Sequence, residues 1–223
     1  MDWMTQVDAY CERTDLSYWS EPVNAVTNAA FVIAAAVMWR RTAGLPLGRA
    51  LCAVLAAIGL GSYLFHTHAT AWASVADVAP ILGFILLYLY AANRTFWGLG
   101  RRAALAGVAL FFPYAAATGW LFGQLPWLGA SAGYAPVALL ILVHAGLLAR
   151  RAPATARGLA LGGGLLVLSL GFRTLDGPLC GVLPLGTHFL WHLLNATMLG
   201  WMIEVYRRDM AARVGQTPHP AGG

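Results

Sequence analysis

The sequence contains no lysine, and only 10% of its residues are charged. So thin a charged complement excludes an ordinary soluble domain, in which about a quarter of residues are charged, and a disordered chain, which is poorer in apolar residues. A basic leader is also missing: the chain opens with Asp2 and further acids, so no secretory signal peptide is expected. No internal repeat is visible, and the first, fourth and fifth apolar runs described below hold no acid at their centres. Both absences count against a transporter or channel. What is present is apolar: 59% of residues are hydrophobic, the balance of a polytopic membrane protein.

A membrane helix needs about 20 apolar residues. Seven runs meet that requirement, near residues 22–40, 47–67, 76–93, 102–121, 133–149, 156–173 and 186–206. The expected fold is therefore all-α, one seven-helix bundle over residues 1–210, followed by a disordered tail over 211–223. Arginine gives the orientation. Arg40, Arg41 and Arg49 lie between the first two runs, and Arg94, Arg101 and Arg102 between the third and fourth. Arg150, Arg151 and Arg157 lie between the fifth and sixth, and Arg207, Arg208 and Arg213 follow the seventh. All four groups fall on one side, expected to be cytoplasmic, so the N-terminus is outside and the C-terminus inside. The net charge of +5 then records topology, and no nucleic-acid partner is implied. Nothing in the pattern specifies an oligomer.

Polar residues inside the runs carry the functional signal. Ser62 and His66 are four apart near the outer end of the second run, with His68 just beyond. Asp77 begins the third run, and His188 and His192 stand four apart at the start of the seventh. Residues i and i+4 share a helix face, and the orientation brings all these residues to one membrane depth. An ionisable group in the bilayer must face the bundle interior and find a partner. Three imidazoles at one depth suit a divalent metal, and a nitrogen-rich set without cysteine favours zinc. His66, His188 and His192 are the expected ligands, with His68 as rival for the position on the second run. Interhelical hydrogen bonding explains a histidine pair too; His144 is read that way, and His219 as solvated. Cys11 and Cys180 both fall on the outer side, where a disulfide is chemically possible, although buried cysteines are also plain small apolar residues.

Three blocks resemble the alkaline ceramidase family, within the wider group of seven-helix membrane hydrolases that includes the adiponectin receptors. "GLGSYLFHTHATAWASVAD" is similar to its Ser-x3-His followed by Asp on the next helix, and "HFLWH" to its His-x3-His block. "DAYCERTDLSYWSEPVNAVTN", Asp8 to Asn28, is similar to its acidic N-terminal block. The resemblance implies zinc on His66, His188 and His192, which demotes His68, and a Cys11–Cys180 disulfide. It also implies calcium in the acidic block, for which Asp8, Glu12, Asp15, Glu21 and Asn24 offer oxygens. The alternative there is a solvated acidic loop or a cap on the first helix. The block differs from that of the animal enzymes in lacking a Trp after Asp8 and in its shorter interval from Glu12 to Glu21.

The implied activity is hydrolysis of a ceramide-like lipid amide to a fatty acid and a long-chain amino alcohol. Asp77 is expected to relay the proton to the departing amine, or alternatively to orient a histidine. Ser62 is expected to donate to the oxyanion rather than act as nucleophile, since no free histidine base remains. Trp191, Phe189 and Tyr63 are expected at the acyl cavity, and Asn195 and Glu204 have no catalytic part. A hydrolase of another lipid amide or ester, and a lipid receptor with structural zinc, stay open. Arginine without lysine and abundant Ala and Gly point to a GC-rich bacterial genome. The expected location is then the bacterial inner membrane with the site towards the periplasm, or the ER or Golgi membrane in a eukaryote. The charge map is testable by fusion: a C-terminal green fluorescent protein should fluoresce and a C-terminal alkaline phosphatase should be inactive, and the reverse pattern would invert the orientation.

Overall fold

The computed structural model describes residues 2–214. Its helices are α1 (Pro22–Thr27), α2 (Ala29–Arg41), α3 (Pro46–His68), α4 (Ala71–Thr95), α5 (Arg101–Gly123), α6 (Ala135–Leu148), α7 (Pro153–Leu179) and α8 (His188–Val214). A 3₁₀ turn over Pro126–Gly133 precedes α6. Among the described residues the only β pairing is an isolated bridge between Gln6 and Thr70. The fold is an all-α polytopic membrane bundle. Five helical segments are long and apolar enough to cross a bilayer, with α1 and α2 acting as one of them over Pro22–Arg41. The 3₁₀ turn and α6, bent by 74°, together make a sixth. Alone, the 14 residues of α6 reach only about 21 Å, short of the hydrocarbon thickness. The bend falls at Tyr134, and the 3₁₀ segment is itself kinked at Gly129, whose positive φ of 48° glycine adopts without strain.

Helix α8 spans 27 residues, about 40 Å, but is too polar to count among the apolar spans. His188, His192, Asn195 and Glu204 make it so, and the fold compensates by enclosing it. It packs on α7 and α2 and also touches α1, α3 and α4. The core is built there: Leu51, Leu55 and Ile58 of α3 meet Met198, Met202 and Ile203 of α8. Cys52, also buried in that cluster, is a free thiol within 3.7 Å of the Thr42 hydroxyl. The helix continues to Val214, so residues 211–214 extend α8 rather than beginning a tail. His219 lies outside the described residues.

The turn between α3 and α4 differs from expectation. Helix α4 starts at Ala71, so Asp77 sits on its second turn, not its first. Two residues suffice for the connection because Ala69 turns left-handed, with φ 46°, and Thr70 is extended. The N-terminal segment then lies across this turn, with Val7 donating to the Ala69 carbonyl at 2.7 Å and Ala71 to that of Thr5 at 2.9 Å. At the other end, Glu204 accepts from Arg41, Arg207 and Arg208, at 2.8–3.2 Å. Sixteen residues separate Glu204 from His188, so arginine cluster and histidines lie about 24 Å apart along α8.

Helices α3 and α4 approach closely at Gly61, next to Ser62, where an added Cβ would collide with the Ala76 carbonyl. Backbone cannot yield as a side-chain tip can. Gly61→Ala should therefore force the two helices apart and lower stability by about 1–3 kcal/mol, read as a fall in the thermal midpoint in detergent.

Candidate metal centre

Local structure first places the ligand candidates. His66 lies two residues before the end of α3, and His188 and His192 form one face of the first two turns of α8. All three are buried, and their ring centroids lie 4.6, 4.7 and 5.2 Å apart. Among the described residues they are the one group of three His, Cys, Asp or Glu side chains whose ligand atoms fall within 4.8 Å of one another. His68 stays outside. It is exposed, bonded back to the Leu64 carbonyl and edge-on to Tyr18 and Trp72. His144 likewise bonds back to the Leu140 carbonyl at 2.9 Å.

Hydrogen bonds behind the rings fix which nitrogens face inward. His66 Nδ1 lies 2.6 Å from Glu21 Oε2, a carboxylate that can only accept, so this nitrogen carries the proton. His192 Nδ1 lies 2.9 Å from Thr27 Oγ1, whose own hydrogen goes to the Val23 or Asn24 carbonyl, at 2.7 and 3.0 Å. Thr27 therefore accepts from His192 Nδ1. In neutral rings both Nε2 atoms are then bare, and they face each other at 3.1 Å. Two lone pairs at that distance repel unless they share a cation, a proton or a metal ion. Tetrahedral zinc at about 2.0–2.1 Å from each nitrogen spaces its ligands by roughly 3.3 Å. His188 Nδ1 is buried without any partner. The donor set thus fits zinc in spacing, chemistry and protonation.

The surrounding residues were not evident from the sequence. Asp176, near the end of α7, accepts from the backbone N–H of Thr187 at 2.6 Å and His188 at 2.9 Å. It thereby caps α8 at the turn that carries the histidines. Its other oxygen accepts from Cys11 N–H at 3.0 Å. Gly186 makes that approach possible: its φ is 68°, and a Cβ there would strike the Asp176 carboxylate. Cys11 and Cys180 are joined by a disulfide, Cα atoms 5.3 Å apart, which ties the N-terminal segment to the same loop. Tyr10, adjacent to Cys11, stacks on His188 with centroids 3.5 Å apart.

Ser62 of α3 and Asp77 of α4 border the same space. Both line a cavity walled mainly by apolar side chains, among them Phe31, Phe84, Trp191 and Met198. That lining reaches Phe96 just beyond the far end of α4 and also takes in Asn195 and His144. Phe189 and Tyr63, expected there, are not part of it. Phe189 follows His188 by one residue, about 100° around α8, and Tyr63 is turned outward to share a hydrogen bond with the Tyr18 hydroxyl, at 2.9 Å. Arg173 stands beside two of the lining rings, its guanidinium 5.2 Å from the Tyr134 ring and 5.5 Å from that of Trp191.

The five residues with calcium-type oxygens are either exposed or hydrogen-bonded within the chain itself. Asp8 and Asp15 are exposed, and Asp15 accepts from Ser17 N–H at 2.8 Å. Glu12 caps α1, accepting from Val23 and Asn24 N–H at 2.7 and 2.8 Å. Glu21 is shared between His66 and Arg13. Burial opposes the charge on Glu21, but the bonds from His66, Asn24 and Arg13 outweigh it and hold the carboxyl below its ordinary pKa. The acidic residues among these do not form a close group, so the set does not fit calcium.

Helices long and apolar enough to cross a bilayer, a buried trio of imidazoles that could hold a metal ion, and a largely apolar cavity lined in part by a carboxylate and a hydroxyl define a membrane protein suited to act on lipid. The sequence model described as Ceramidase matches residues 6–213. The chain belongs to the ceramidase family, whose members hydrolyse the amide of ceramides, and it is accordingly a membrane hydrolase acting on a lipid amide. Among curated proteins the comparison finds no match. The tautomer argument has a direct test. Thr27→Val removes the acceptor behind His192 at little change in volume, and should weaken zinc binding about 10-fold or more, measured by competition with a chelating dye; unchanged affinity would contradict it.

Proposed function

We propose that the protein is a zinc-dependent hydrolase of ceramide-like lipids, releasing a fatty acid and a long-chain amino alcohol. One observation carries this: three buried imidazoles with two bare nitrogens 3.1 Å apart, at the end of the bundle where Ser62 and Asp77 enter an apolar cavity. His66, His188 and His192 hold the metal. When bound, zinc supplies a water acidified to a pKa of about 7 and a Lewis acid for the amide oxygen.

The remaining steps belong to the chain. Asp77 takes a proton from the attacking water and delivers it to the amide nitrogen as the C–N bond breaks, since an amide anion is too basic to leave unprotonated. Ser62 donates to the oxygen that becomes negative in the tetrahedral intermediate, and a donor already in place needs no reorganisation there. Covalent catalysis by Ser62 has no base to support it, because the nearby imidazoles are all committed. The apolar cavity holds an acyl chain and keeps bulk water from the carbonyl, which strengthens each polar contact at the site. Given the arginine distribution, the site opens on the non-cytoplasmic side, the periplasmic face of a bacterial inner membrane or the lumen of the ER or Golgi. Calcium has no step in this reading.

Turnover of a fluorescent ceramide, measured beside a panel of other lipid amides and esters, tests the proposal. Ser62→Ala should lower kcat by about 10²–10³-fold with zinc content unchanged. Asp77→Asn should lower it at least as far, also with zinc retained. His188→Ala should lose both metal and turnover. Preferential cleavage of a different lipid would move the substrate assignment, and specific lipid binding with no turnover of any would replace the enzyme with a receptor.

A further inference from the structure

Arg13 is buried although the residues that follow it, Thr14 to Trp19, are exposed. Its guanidinium gathers three oxygens from three parts of the chain. Nε donates to Glu21 Oε1 at 2.6 Å, Nη1 to the Asp15 carbonyl at 3.1 Å, and Nη2 to the carbonyl of His66 at 2.9 Å. The other oxygen of Glu21 receives His66 Nδ1 at 2.6 Å and Asn24 Nδ2 at 3.1 Å. One cation therefore neutralises the carboxylate that orients His66 and also ties down the backbone of that same histidine.

This is the segment in which the family resemblance implies calcium. Calcium takes six to eight oxygens, and here the two glutamates are already used, Glu12 on the N-terminus of α1 and Glu21 on Arg13 and His66, while Asp8 and Asp15 are exposed. Asn24 Oδ1 is buried without a partner, but one amide oxygen beside a guanidinium is no calcium site. A divalent ion sharing Glu21 with Arg13 would gather three positive charges around a single carboxylate.

We infer that Arg13 is a built-in cation standing where the resemblance implies calcium, and a positioning residue that acts on the metal centre through Glu21 and His66. The guanidinium makes the acidic block independent of any divalent ion. It is suited to the task because its planar fork holds several donors in fixed directions, and it stays protonated when buried. The zinc part of this inference rests on the function proposed above; the calcium part does not.

Two binding measurements test it, neither of which depends on lipid turnover. Zinc-loaded protein in detergent is titrated with calcium alone by calorimetry, and its thermal midpoint is recorded with and without calcium. No saturable heat and no shift are expected; one bound equivalent of calcium would overturn the inference. The zinc dissociation constant is then compared among the native protein, Arg13→Gln and Arg13→Lys. Arg13→Gln should weaken zinc about 10–100-fold, and Arg13→Lys should recover part of the loss, since it keeps the charge but cannot span three oxygens. Native affinity in Arg13→Gln, or no recovery in Arg13→Lys, would refute the positioning role. If Arg13→Gln does not fold, Arg13→Lys against the native protein decides that role: unaltered zinc affinity supports a charge requirement alone and overturns the three-oxygen geometry. If the native protein binds no zinc, the proposed function fails, while titration of the metal-free protein still decides whether calcium binds.

Discussion

Two bare imidazole nitrogens held 3.1 Å apart inside an apolar bundle are the constraint around which this protein is organised. Left alone they repel, and a bilayer offers no water to separate them. The fold nevertheless holds them there through an acceptor behind each ring, Glu21 for His66 and Thr27 for His192. Such an arrangement makes sense only around a cation. The energy for it comes from elsewhere in the molecule, chiefly the apolar packing of α8 against α7, α2 and α3.

Around that centre the N-terminal segment does more than cap a helix bundle. Residues 5–7 bond to the α3–α4 turn, Tyr10 covers His188, and Cys11 is tied both to Cys180 and to Asp176. Arg13 and Glu21 then close behind His66. A stretch of about twenty residues outside the bundle thus supplies most of the polar support for a site built inside it. This division follows from chemistry: support for imidazoles requires carboxylates and guanidinium, which are costly on a lipid-facing helix and cheap on a segment at the membrane surface.

Ser62 and Asp77 line the cavity, and Ser62 stands one helical turn from His66 of the imidazole trio. Gly61 lets α3 and α4 approach there, so a hydroxyl and a carboxylate from different helices share one opening. Beyond them the walls are mostly apolar as far as Phe96. Polar chemistry at one end and an apolar slot along the bundle suit a long-chain amide, whose reactive bond and tails have opposite solvent preferences. The arginine–Glu204 cluster lies at the opposite end of α8 and has no contact with this site.

Much of this was legible in the chain itself. Long apolar runs name their own helices because every backbone polar group in a bilayer must be paired within its segment. The four-residue spacing of Ser62 with His66, and of His188 with His192, places each pair on one face by helix geometry alone. What the sequence could not disclose is every relation between distant segments. Glu21 meets His66 across 45 residues, and Thr27 meets His192 across 165; neither partner carries a local pattern that marks it. Nothing local marks Asp176 either, yet the folded chain brings it to the start of α8. Local periodicity fixes which face of a helix is polar, because it depends on rise and twist within one segment. Which nitrogen carries its proton, and whether a carboxylate finds a metal or an arginine, is decided only when separate helices pack, because those choices are set by distances between atoms far apart in sequence.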